Sequence, residues 1–131
     1  MSTIAAELGR SQSCGEEAAN AITHGVGALA SLVALPFLVS AGAAWPYLVF
    51  GLSLVVLFSS SAVYHASANP SLKRRLRVLD HSSIYILIAG TYSAYSISVL
   101  GGAKGWILFG LEWAIAAGGI ALSLRRVDRF R

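Results

Sequence analysis

Four apolar runs, each about as long as a bilayer core is thick, decide what this chain can fold into. A helix that crosses the hydrocarbon core needs about 20 mostly apolar residues. Runs of that length cover about 22–41, 46–66, 81–100 and 105–124. Inside a bilayer each backbone polar group must find its partner within the protein, which a single segment achieves only as a helix. The expected fold is therefore all-α, a polytopic transmembrane helix bundle of four spans. A polar tail, 1–15, precedes the membrane domain at 16–124, and a basic tail, 125–131, follows it. Only 12% of the residues carry charge, against about 25% in soluble domains. The first 20 residues hold Glu7, Arg10, Glu16 and Glu17 and lack a basic-then-apolar leader pattern. The single cysteine, Cys14, leaves no intrachain disulfide to expect.

The breaks between the runs have recognisable chemistry. Pro46 suits the first turn of a helix, where its missing N–H would be unpaired anyway. Gly101-Gly102 divides the third run from the fourth, and Pro36 is expected to kink the first. The charges then give a direction. Of the ten Lys and Arg residues, only Lys104 lies on one side of the runs. The other nine are Arg10, the cluster Lys73, Arg74, Arg75 and Arg77, and Arg125, Arg126, Arg129 and Arg131. The positive-inside rule then places both termini and the "KRRLR" stretch in the cytoplasm, with the protein in the plasma (inner) membrane. Such a stretch also touches anionic headgroups. With the basic residues gathered at one membrane face, the net charge of +4 points to the lipid bilayer and not to nucleic acid.

His65 ends the second run and Asp80 opens the third, so the chain returns both to one depth. Ser61 and His65, four apart, share a helix face. A hydroxyl one turn from an imidazole can bond a substrate or a metal-bound water. Neutral imidazole is the commonest zinc ligand, and a nearby carboxylate can ligate the metal or take a proton from its water. Against this stand plainer roles: a histidine facing headgroups, and an aspartate capping a helix. Glu17, Asn20 and His24 recur at three and four at the same level. His24 can reach the same site, or the cluster simply fixes how the first helix enters the membrane. His81 is turned about 100° from Asp80, so the two are not expected to serve one site.

The third run is rich in hydroxyls. Asp80, Thr91 and Ser98 fall on one face, and Ser82, Tyr85, Tyr92, Ser93 and Ser96 fall roughly opposite. That pattern suits a central helix packed all round, or a wet lining. Glu112, about two turns into the fourth run, needs a partner if it is immersed.

The motifs "EEAANAITHGVGA", "SSSAVYH" and "LDHSSIYILIAGTY", in this order, resemble the bacterial hemolysin III family. That family is related to the progestin and adiponectin receptor family of seven-helix membrane proteins. The resemblance covers about residues 15–124. It implies a zinc site at the cytoplasmic side: His65 matches the metal-binding histidine of the second helix, Asp80 the carboxylate at the metal's water, and Ser61 the serine one turn before the ligand. The family's other two metal histidines form a His-x-x-x-His motif on the seventh helix. This chain contains only His24, His65 and His81. A catalytic zinc has three protein ligands, so His24 or a second chain must complete the site.

Three functions stay open. One is a cytolytic, pore-forming membrane protein with a partial zinc site, in keeping with the red-cell lysis for which bacterial members are named. Another is a zinc-dependent hydrolase of lipid amides or esters, as in the related alkaline ceramidase type. The third is an inactive remnant or half of a split protein. Hydroxyls that would face absent helices favour a homo-oligomer or a companion membrane chain.

Overall fold

A computed structural model of the chain describes residues 12–41 and 44–128, with the backbone alone at 44 and 126–128. The expectations for residues 1–11 and for Arg129 and Arg131 lie outside the described residues. Four long helices follow one another: α1 (Cys14–Ala41), α2 (Ala44–Ala66), α3 (Pro70–Tyr95) and α4 (Gly102–Asp128). α3 runs on into a π-helical turn, Ser96–Leu100. All four helices are long and apolar enough to cross a membrane, as expected.

Two helices begin well before their apolar runs, because local capping chemistry decides a helix start and hydropathy marks only membrane depth. At α1, Ser13 and Glu16 form a capping box: Ser13 N–H donates to Glu16 Oε2 at 2.7 Å, and Glu16 N–H to Ser13 Oγ at 3.3 Å. At α3, Asn69 Oδ1 accepts from the N–H groups of Ser71 at 2.9 Å and Leu72 at 3.2 Å, with Pro70 following the cap. The connection between α2 and α3 is thus only residues 67–69. The KRRLR residues ride on the first turns of α3 and are not a loop. Asp80 lies ten residues beyond Pro70, inside the helix, so its capping role falls to Asn69. Asn69→Ala is expected to lower stability by about 1 kcal/mol, read as an earlier thermal unfolding midpoint in detergent.

The helices form an open row. α1 packs on α2, α2 on α3, and α3 on α4. Within the apolar windows, 22% and 28% of α2 and α3 are buried but only 6% of α1 and α4, so the outer two are flanks. The seams are made of small and hydroxyl-bearing residues. Among the described residues Ser31, Ser53, Ser61, Ser82, Ser83, Ser93 and Ser96 are buried, and the apolar side chains buried with them are small, those of Ala89, Ala116 and Pro46. Apolar side chains gain little by leaving lipid, so close approach and hydroxyl bonding hold such helices together. Several serines bond back to the turn before, as Ser93 does to Ala89 O at 2.7 Å. Ser60 Oγ crosses from α2 to Ser83 Oγ on α3 at 3.1 Å.

α3 does not pack all round. Ser82, Ser93 and Ser96 face inward, whereas Thr91, Tyr92 and Ser98 are exposed on its open side. At its far end Gly101 and Gly102 adopt φ of 63° and 54°, a region glycine enters without a Cβ clash. Gly101 N–H closes on Ser96 O at 2.9 Å. This turn lays Gly105 of α4 against the Ser96 carbonyl.

A polar lock at the basic end

Two aromatic residues fix one edge of the membrane. Trp45 at the start of α2 and Trp106 near the start of α4 stack with ring centroids 6.0 Å apart, and Phe109 packs edge-on to both at 5.7 Å. Tryptophans gather at the interface between lipid and water. Counting from Trp45 along α2, His65 lies about 30 Å away at 1.5 Å per residue, which is about the thickness of the hydrocarbon core. His65 and its neighbours therefore occupy the opposite interface.

The residues there converge from three helices. Glu17, in the first turn of α1, places Oε2 2.8 Å from His65 Nδ1 at the end of α2. Its Oε1 lies 2.6 Å from Lys73 Nζ, on the first turn of α3. One carboxylate thus joins α1, α2 and α3, and all three side chains are largely shielded, at 20%, 11% and 24% exposure. Lys73 Nζ stands 5.3 Å from the Tyr64 ring centroid, and Arg77 Nε–H donates to Tyr64 Oη at 3.2 Å. With Nδ1–H donated to Glu17, a neutral His65 carries its lone pair on Nε2, where it can act as a base or a ligand.

His24 stands beside this lock. Its ring centroid lies 5.8 Å from that of His65 and 5.9 Å from Phe58. Its Nδ1 is buried without a hydrogen-bond partner among the described residues. Ser61 is buried one turn before His65. Asp80 has an 18% exposed carboxylate whose Oδ2 lies 3.7 Å from His81 Nδ1. That same His81 nitrogen is 2.8 Å from Arg77 O, and the His81 side chain is 60% exposed.

A zinc ion needs three ligands here if it is to work catalytically. Among the described residues no group of three or more His, Cys, Asp and Glu is placed to hold a metal ion. The structure brings two imidazoles together, His24 and His65, and gives Glu17 to Lys73 as well as to His65. The donor set among the described residues does not fit a complete zinc site.

The spacing of Glu17, Asn20 and His24 pointed to this end of the bundle but not to what Glu17 holds. In the sequence Lys73 stands out only as part of a charge cluster. The signal that could have found it is Asn69-Pro70, a helix-start pair that puts Lys73 on the first turn of a helix beginning just beyond the end of α2.

A family model described as "Haemolysin-III related" matches residues 12–131. The chain is similar to a "Hemolysin-3 homolog" of Bacillus subtilis (strain 168), at 42% identity over 122 residues, covering 88% of this chain and 57% of that protein. It is similar also to a "Hemolysin-3" of Bacillus cereus, at 40% identity over 122 residues, covering 88% and 56%. The chain therefore spans a little over half the length of these curated relatives. No solved structure matches it.

Proposed function

Because the chain belongs to the haemolysin-III related family, we propose that it permeabilises membranes as an assembly, with further helices supplied by a second copy or a companion chain. The observation that carries this reading is Glu112. It lies on α4 six residues past Trp106, about 9 Å into the core at 1.5 Å per residue. Among the described residues it has no hydrogen-bond or ion-pair partner. An ionisable group at that depth is costly unless something answers it, and among the described helices α4 lies at the flank of the row. The hydroxyls of Thr91 and Ser98, exposed on the open side of α3, support the same reading. In a bacterial cell the basic end and the N-terminus would face the cytoplasm of the plasma membrane, by the charge asymmetry of the chain.

Release of haemoglobin from red cells tests it. The full chain is expected to lyse cells, and Glu112→Leu to do so about three- to tenfold less well, the scale of one interhelical polar contact. Glu112→Gln, which keeps hydrogen-bonding capacity, should retain most activity. Equal lysis by Glu112→Leu would remove Glu112 as an assembly contact, and no lysis at any dose would remove the reading itself.

One observation favours a second reading, a zinc-dependent hydrolase of lipid amides or esters. His24 Nδ1 is buried and unpartnered beside His65. A companion chain would have to bring the remaining ligands, since this one supplies two imidazoles where three ligands are needed. Asp80 and Ser61 keep their proposed roles at the water and the substrate only in such a completed site.

A further inference from the structure

The basic residues at the α3 start divide into two groups. Lys73 is held by Glu17, and Arg77 by Tyr64. Arg74 and Arg75, on the same turns, are exposed and have no hydrogen-bond or ion-pair partner among the described residues. α4 brings a third guanidinium close by. A Cβ on Gly119 of α4 would lie 2.5 Å from the Tyr85 ring of α3, which sets the register of this antiparallel pair. Six residues on from Gly119 comes Arg125, also exposed, and six residues back from Tyr85 comes Leu79. Arg125 thus stands at about the level of Leu79, one turn from Arg75 on the neighbouring helix.

Like charges gathered on adjacent helices repel each other, and an anion between them relieves the repulsion. The surface around them narrows the choice of anion. Leu72 and Leu79, seven apart on α3 and so on one face, are 49% and 58% exposed and flank Arg75, which lies about 40–60° round the helix from both. A free phosphate ion would answer the charges and leave both leucines in water. A lipid answers both, with its phosphate on the guanidinium groups and its glycerol and upper acyl chain on the leucines. The depth agrees. Lys73 reaches Glu17 at the level of His65, so its neighbours Arg74 and Arg75 lie in the headgroup layer.

We propose that Arg74, Arg75 and Arg125 form a rim that binds the phosphate headgroups of anionic phospholipids. The rim acts at one face of the membrane only and is independent of whether the protein lyses cells.

Spin-labelled lipids test it directly. The full chain is reconstituted in phosphatidylcholine bilayers, and the protein-restricted fraction of labelled phosphatidylglycerol is compared with that of labelled phosphatidylcholine. Phosphatidylglycerol is expected to be preferred about twofold or more, and the preference to fall towards one in about 1 M salt. Arg74→Gln/Arg75→Gln should lose most of it, whereas Lys104→Gln, at the other end, should keep it. Circular dichroism showing unchanged helix content in the double variant excludes misfolding as the cause. Equal restriction of the two lipids by the wild type would overturn the proposal, as would an undiminished preference in the double variant. Displacement of labelled phosphatidylglycerol by inorganic phosphate at constant ionic strength would also overturn it, in favour of a soluble anion.

Discussion

Replacing Gly90 with leucine is expected to force α2 and α3 apart and to cost about 3 kcal/mol of stability. At Gly90 α3 packs directly against α2. Even a Cβ there would lie 2.8 Å from Ser53 Cβ and 3.3 Å from the Val49 carbonyl oxygen. The carbonyl belongs to the helix itself and cannot turn away. Ser53 has little freedom either, since it is 2% exposed and its Oγ donates to Phe50 O at 2.6 Å. A leucine must therefore move a whole helix, and the Ser60–Ser83 bond on the same seam goes with it. Thermal unfolding in detergent reads the loss. Gly25→Leu is the control, because nothing lies within 4 Å of a Cβ at that glycine. Leucine is the better helix former, so equal loss from both variants would mean that something other than the α2–α3 seam set the effect.

The second large effect is expected from reversing the charge of Glu17. Glu17→Lys would put two ammonium groups side by side next to His65, where a single carboxylate now answers Lys73 and His65. Removing one partner from a buried pair costs about 3–5 kcal/mol. Screening at the interface brings the expectation to about 2 kcal/mol. The swap Glu17→Lys/Lys73→Glu restores opposite charges across the α1–α3 contact and should recover at least half of the loss, with His65 left beside a lysine. If the swap unfolds as early as Glu17→Lys alone, the Lys73 contact is not what holds α1 to α3. Mild acid does not mimic this reversal, since the hydrogen bond from Lys73 holds the Glu17 carboxyl below the usual carboxylate range and keeps it charged.

The membrane architecture was legible in the sequence because it rests on one strong constraint. Backbone groups in lipid must be paired within a helix, so run length alone located the spans. Gly101-Gly102 was legible for an equally local reason, the positive φ at both positions. The start of α3 was not, although Asn69-Pro70 carries it. Hydropathy reports depth, and the first ten residues of α3 are a helix that stands at the interface among charges. Asp80 consequently moved from a capping position to a helix interior. The lock was half legible. Glu17, His24 and His65 were placed at one level by spacing, but Lys73 reaches Glu17 through a side chain four carbons long, which no periodicity records. The hydroxyls of α3 split between a packed side and an open side. The sequence could not tell these apart, because serine serves equally in a helix seam and on a face that meets another chain.

Leakage of a trapped dye from vesicles most directly separates a working assembly from a lone row of four helices. The full chain is reconstituted at increasing protein-to-lipid ratio, and the initial leakage rate is followed. An assembly predicts a rate that climbs more steeply than the first power of the ratio and flattens once assembly is complete. A rate strictly proportional to protein from the lowest ratio upward, or no leakage at any ratio, would contradict it.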